Sequence, residues 1–271
     1  MSAAATVPSG LAQIALEASG AGAPVVFLHA GVADRRMWIE QTQAVAAAGY
    51  RAIAYDRRGF GDTLHVDEEY SQVGDLVAVL DGVGGRGPAI LVGCSQGGRV
   101  ALDAALARPD RVKGLVLVAP AISGAPEVEE VPPAIQAWIE RMEAAEDSAD
   151  VDRINALEAH AWLDGPLAPE GRVGGAPREL FLDMNELALR AERRGTEIEP
   201  PSAWERVPQI GVPALVLWGD LDFPHIAQRC SYLLSRLPKA RGHVVPGTAH
   251  LPNLEDAAAF NRELLAFLSA A

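Results

Sequence analysis

The chain has 271 residues, with 49% hydrophobic and 22% charged positions and a formal net charge of -13. That length fits one large domain or a core domain carrying an insertion, in the composition range of an ordinary soluble globule. The negative balance argues against binding to a phosphate backbone or an anionic membrane, and no apolar run approaches the roughly 18 residues needed to span a bilayer.

The first ten residues are Ala/Ser-rich and lack the basic and apolar regions of a signal peptide, so 1–10 is expected to be a flexible tail. A weaker apolar run, Leu11–Leu16, predicts an antiparallel edge strand. Continuous apolar runs follow at Pro24–His29, Arg51–Tyr55, Ala89–Val92 and Gly114–Val118, without the alternation of half-exposed strands. Between them Met37–Ala48, Gln72–Leu80 and Arg99–Ala107 carry helical spacing. This strand–helix rhythm predicts an α/β fold, a mostly parallel sheet with helices on both faces.

The rhythm breaks near Ile122. Amphipathic stretches at Pro133–Ala145, Val151–Leu163 and Arg178–Arg193 follow, joined by Gly/Pro-rich links. Strand runs return at Ala214–Trp218 and Gly242–Val245, and a final helix is expected over Leu254–Leu268. The expected division is a core of 11–122 and 207–271 with an inserted helical cap of 123–206 over the sheet's carboxyl edge.

Gly93-Cys94-Ser95-Gln96-Gly97 joins a buried strand to a helix, the setting of a nucleophile elbow. Gly93 and Gly97 leave room for a tight turn with Ser95 at its tip, beside helix N-terminal amides that favour developing negative charge. A serine hydroxyl needs a base, and the base needs an orienting acid. His250, in a turn-rich loop past the last strand, is the candidate base. His243 reads as structural, His225 as a pocket residue, and His65 and His160 as surface or cap residues. The acid belongs on the strand end Trp218-Gly219-Asp220-Leu221-Asp222. Asp220 and Asp222 both qualify by position, with Asp222, three past Gly219, favoured. An oxyanion needs two amide donors, assigned to the N–H groups of Gln96 and of Gly31 in the loop His29-Ala30-Gly31.

The two cysteines, Cys94 and Cys230, form no disulfide framework; reduced thiols in a cytoplasmic protein are expected, with Cys94 filling space behind the strand. No cluster has metal-ligand spacing, so neither metal nor cofactor is implied. Gly59-Phe60-Gly61 lacks the third glycine of a nucleotide fingerprint and reads as a turn near the oxyanion loop.

Together these residues resemble the alpha/beta-hydrolase superfamily. The order Ser95, Asp222, His250 matches its pattern, as do the elbow, the His29-x-Gly31 loop and Asp56-Arg57-Arg58-Gly59-Phe60-Gly61. The loop through Asp34, Arg35, Arg36, Met37 and Trp38 is similar to the cofactor-free esterase and enol-lactonase branch. Ala30 departs from the glycine usual there. Haloalkane dehalogenases and epoxide hydrolases of this fold carry an aspartate at the elbow, where this chain has Ser95. The resemblance implies an eight-stranded sheet and hydrolysis of a small or medium carboxylic ester or lactone through an acyl-enzyme.

The pocket is expected to be mainly apolar, built from Trp138, Trp162, Phe181 and Met184 of the cap with Ala30, Trp38, Phe223, His225 and Leu251 of the core. The partner is then a small molecule, with no nucleic acid or membrane, in a monomer or homodimer. Other readings on the same three residues are a carbon–carbon bond hydrolase, for which no clear extra cationic group stands out, a hydroxynitrile lyase or a perhydrolase. A reading of another class is a ligand-binding receptor on this fold.

Overall fold

The computed structural model describes residues 3–85, 87–128 and 131–271. Its strands are β1 (Ala3–Ser9), β2 (Ala12–Gly20), β3 (Pro24–Leu28), β4 (Arg51–Tyr55), β5 (Glu69–Tyr70), β6 (Ala89–Cys94), β7 (Val112–Val118), β8 (Thr196–Glu197), β9 (Ala214–Gly219) and β10 (Ala240–Val245). Its α-helices are α1 (Ile39–Ala47), α2 (Gln72–Val79), α3 (Gln96–Ala107), α4 (Pro133–Asp147), α5 (Val151–Glu158), α6 (Gly175–Arg190), α7 (Pro224–Arg236), α8 (Pro252–Glu255) and α9 (Ala257–Ala270).

Eight strands form one sheet in the order β1-β2-β4-β3-β6-β7-β9-β10, antiparallel at β1/β2 and β2/β4 and parallel elsewhere. Apolar side chains leave both faces of the central strands, so helices must cover both. Ile14, Val26, Leu91, Leu117 and Val216 pack one face against α2, α3 and α7, and Val25, Phe27, Val92 and Leu217 pack the other against α1 and α9. Each such fully buried side chain contributes about 1.5–3 kcal/mol relative to exposure.

Residues 3–9 are not a tail. They pair with β2 in a register that sets Val7 opposite Ile14, and Val7 joins the core. The Ala/Ser-rich composition hid this strand, because Val7 alone is a buried apolar residue over 4–9, too few to show alternation. Residues 1–2 lie outside the described residues. β2 accordingly lies between β1 and β4 rather than at the edge. The final helix is divided: Asp256 leaves helical geometry at φ -139, ψ 75 and accepts from Ala259 N at 2.9 Å, capping α9. An aspartate beside a backbone amide competes with helix continuation in this way.

Between β7 and β9 lie α4, α5 and α6, with a π-helical turn at Ala159–Asp164. Among the described residues the strand in this stretch is the two-residue β8, paired with β5. Arg172 ties this stretch to the loop after β10 and to α8 through Gly247 and Glu255. It donates to Leu163 O at 2.9 Å, Asp164 O at 2.6 Å and Gly247 O at 2.8 Å, and pairs with Glu255. Arg36 reaches Asp183 of α6 at 2.6 Å. The parallel register sets Leu28 beside Gly93, Val118 beside Leu217 and Val245 beside Gly219, so the loops following these strands share one sheet edge. That edge is where open α/β sheets bind ligands. No helix among the described residues is long and apolar enough to cross a membrane.

Candidate active site

The turn after β6 holds Ser95 at φ 52, ψ -115, a region that side chains rarely occupy. The surroundings enforce it. A Cβ on Gly93 would stand 2.3 Å from Gly97 O, and one on Gly97 would stand 2.2 Å from Leu28 O. Both glycines are therefore required by close approach, α3 against β3 and the turn against itself. Ser95 N donates to Val118 O at 2.9 Å and Ser95 O accepts from Ala121 N at 3.0 Å, which fixes the tip from the neighbouring strand. Gln96 N–H is the first amide of α3 and has no carbonyl one turn earlier to bond within the helix.

His250 Nδ1 lies 2.7 Å from Asp222 Oδ2, with side chains 2% and 1% exposed. A carboxylate can only accept, so Nδ1 carries the hydrogen and Nε2 is left as an acceptor. Asp222 Oδ1 accepts from Phe223 N at 2.7 Å, which fixes the carboxylate plane. Asp220 points elsewhere: it accepts from Gly247 N at 2.7 Å and ties the two loops together. Trp162 covers His250, their ring centroids 4.6 Å apart. Behind the elbow, the buried Cys94 thiol faces His250 O at 3.7 Å, and burial pushes its pKa well up, so it stays a thiol.

In the loop after β3, a Cβ on Gly31 would meet the Gln96 side chain at 2.7 Å. His29 Nδ1 is 2.7 Å from Ala30 O while its Nε2 accepts from Arg57 N at 3.0 Å, so the ring is the Nδ1–H tautomer. Burial and the adjacent Arg57 lower its pKa well below 6.5 and keep it neutral. Phe60 of the Asp56–Gly61 turn packs on this ring at 4.8 Å, as the sequence suggested for that turn.

Ser95, Gln96, Gly31 and His250 line one cavity of about 310 Å³. Its remaining wall corrects the expected apolar pocket. Glu158, Asn185 and Arg193 join Val32, Phe60, Trp162, Ala188 and Leu189 there. Asn185 donates to Glu158 Oε2 at 2.6 Å, and burial raises the Glu158 pKa. Of the apolar residues expected in the pocket, only Trp162 lines this cavity. Ala30, Trp38, Phe181, Met184 and Leu251 are fully buried packing residues, because the sheet face beneath them needs cover. Trp138, Phe223 and His225 line a separate cavity of about 250 Å³ on the other side of Trp162. Trp162 divides the two, its ring 4.8 Å from that of Phe223. His225 is neutral there, its pKa pushed down to about 4 by burial. Glu158/Trp162 and Asn185/Ala188/Leu189 do carry a signal in the sequence: polar residues at one-turn spacing to apolar ones on a helix face.

Strand order, elbow and loop positions define an alpha/beta hydrolase, and the chain belongs to that family: the Alpha/beta hydrolase family model matches residues 25–263. It is 28% identical over 267 residues to a 2-hydroxy-6-oxo-6-phenylhexa-2,4-dienoate hydrolase of Burkholderia cepacia, covering 95% of this chain and 91% of that protein. Among solved structures it is similar in fold to Est816, described as an N-acyl homoserine lactone degrading enzyme, with TM-score 0.75, 24% identity and coverage of 97% and 99%. The carboxylesterase CesB of Bacillus subtilis matches with TM-score 0.76, 19% identity and coverage of 100% and 93%.

Proposed function

We propose that this chain is a serine hydrolase of small or medium carboxylic esters or lactones, with Ser95 as nucleophile, His250 as base, Asp222 as its orienting acid and residues 123–206 as a cap. The observation that carries the reading is the 2.7 Å bond between buried Asp222 and His250 in the loop beside a strained Ser95. In this mechanism Ser95 Oγ attacks the substrate carbonyl as its proton passes to His250 Nε2. The carbonyl oxygen becomes an oxyanion held by the N–H groups of Gly31 and Gln96. The imidazolium, steadied by Asp222, returns the proton to the leaving alkoxide. Water then gives a proton to His250 as it attacks the acyl carbon, and His250 passes that proton to Ser95 Oγ as the acyl–oxygen bond breaks and the acid leaves. The polar wall of Glu158, Asn185 and Arg193 supports a substrate with hydrogen-bonding groups rather than a bare alkyl chain.

Carbon–carbon bond hydrolysis is the second reading. It is favoured by the similarity to the dienoate hydrolase and by Arg193, a cationic side chain in the cavity wall that the sequence did not single out. The test is a panel of p-nitrophenyl esters, lactones and a dienoate. Ester or lactone turnover that vanishes in Ser95→Ala is the expected result. Activity surviving in Ser95→Ala refutes the mechanism, and turnover of the dienoate alone selects the second reading.

A further inference from the structure

Arg57 is buried deep beside the oxyanion loop, yet the bond network of the reaction makes no use of it. Its guanidinium is almost inaccessible and lies 4.6 Å from the centre of the Phe60 ring. Among the described residues it forms no ion pair, whereas Arg58 pairs with Asp75 and Glu68, and Arg99 with Glu197 and Glu199. Glu197 attracts it from beyond contact, and Arg99 repels it. A buried cation without a counter-ion is costly and calls for a reason. Desolvation brings its pKa down to about 10, so it is charged at neutral pH.

Its hydrogen bonds supply that reason. Nη2 donates to Ala30 O at 3.2 Å and Nη1 to Gln96 Oε1 at 3.0 Å. Ala30 O also accepts from His29 Nδ1 at 2.7 Å and Ala33 N at 3.3 Å. Ala30 C=O and Gly31 N–H belong to the same peptide group. Charge drawn toward that oxygen leaves the N–H more positive, and fixing the oxygen fixes the direction of the N–H on the opposite side of the peptide plane. Through Gln96 the same guanidinium holds the side chain that lies against Gly31.

We propose that Arg57 is a positioning residue for the oxyanion hole: it orients and polarises the Ala30–Gly31 peptide so that Gly31 N–H is preset toward the developing oxyanion. The inference rests on the ester-hydrolase reading. Because the oxyanion exists only in the transition state, losing Arg57 lowers kcat and leaves substrate binding nearly unchanged. The experiment compares wild type, Arg57→Met, Arg57→Lys and Gln96→Ala on p-nitrophenyl butyrate, with thermal melts to report folding. Each protein is also titrated with a boronic acid, which forms a tetrahedral adduct on serine.

Loss of a whole oxyanion donor costs about 10²–10³-fold. Arg57→Met is therefore expected to lose about 100-fold in kcat, with KM changed less than about threefold and boronate affinity falling with kcat/KM. Arg57→Lys recovers part of that loss by keeping the charge. Gln96→Ala, at an exposed side chain, loses about threefold in kcat. A folded Arg57→Met with wild-type kcat, a loss carried wholly by KM, or Lys no better than Met overturns the proposal. If neither Arg57 variant folds, an unchanged kcat in Gln96→Ala overturns it. Wild-type protein that cleaves no ester and takes no boronate overturns the ester reading and this inference with it. Wild-type turnover beside an unaffected Arg57→Met overturns this inference alone.

Discussion

Replacing Asp222 by Asn changes a single atom in shape and reverses the hydrogen-bond logic of the site. Phe223 N–H points at Oδ1 from 2.7 Å, so the amide oxygen must stay there, since an NH2 in its place would face another donor. The NH2 then faces His250 Nδ1, where the carboxylate oxygen stood at 2.7 Å. Nδ1 must give up its hydrogen and become the acceptor, and the proton moves to Nε2. Such an imidazole cannot take the proton of Ser95. The expected loss is about 10⁴-fold in kcat, or about 5.5 kcal/mol of barrier, with the fold intact. Asp220→Asn is the internal control. Its oxygen can still accept from Gly247 N, so at most about 1 kcal/mol of stability and little activity are lost. Steady-state hydrolysis of p-nitrophenyl butyrate, with thermal melts of both variants, decides. Asp222→Asn retaining more than about a tenth of wild-type kcat, or losing less than Asp220→Asn, would refute the assignment.

Gly97→Ala drives a methyl group into Leu28 O and His29 O, which would stand 2.2 and 2.7 Å away. Overpacking against backbone should cost at least about 2 kcal/mol in urea unfolding; a change within about 0.5 kcal/mol would show that the turn has slack. Glu255 accepts from Ala249 N at 2.9 Å and pairs with Arg172, and burial raises its pKa from 4.5 to about 7. The native state thus holds this proton more tightly than the unfolded chain. Its stabilising contribution is full below about 4.5 and is lost as pH rises through about 7, at most about 3 kcal/mol in all. The stability of wild type relative to Glu255→Gln should therefore fall between pH 4.5 and 7. A constant or rising difference contradicts that shift.

The parallel core was legible because strands buried on both faces must be continuously apolar, as Pro24–Leu28 and Ala89–Cys94 are. The elbow was legible for a related reason: two glycines around Ser95 answer a local steric demand that any chain making this turn must meet. His250 and the strand end bearing Asp220 and Asp222 followed from order along the chain, while the turn geometry sets Asp222 against His250 and Asp220 against Gly247 N. β1 escaped notice because its hold on β2 is a ladder of backbone bonds, which composition does not report.

Pocket chemistry is another matter, because helical spacing alone does not say which neighbour an apolar stripe will meet. Trp38, Phe181 and Met184 look like pocket residues and are core, while Glu158, Asn185 and Arg193 face the cavity. Arg57 shows the same division. Its place after β4 is readable in one dimension, but its grip on Ala30 O exists only once β3 and β4 lie side by side. Chemistry written in local turns and strand ends can be read from residue order. Whatever depends on two distant surfaces meeting, including the polar wall and the buried cation behind the Ala30–Gly31 peptide, was decided by packing.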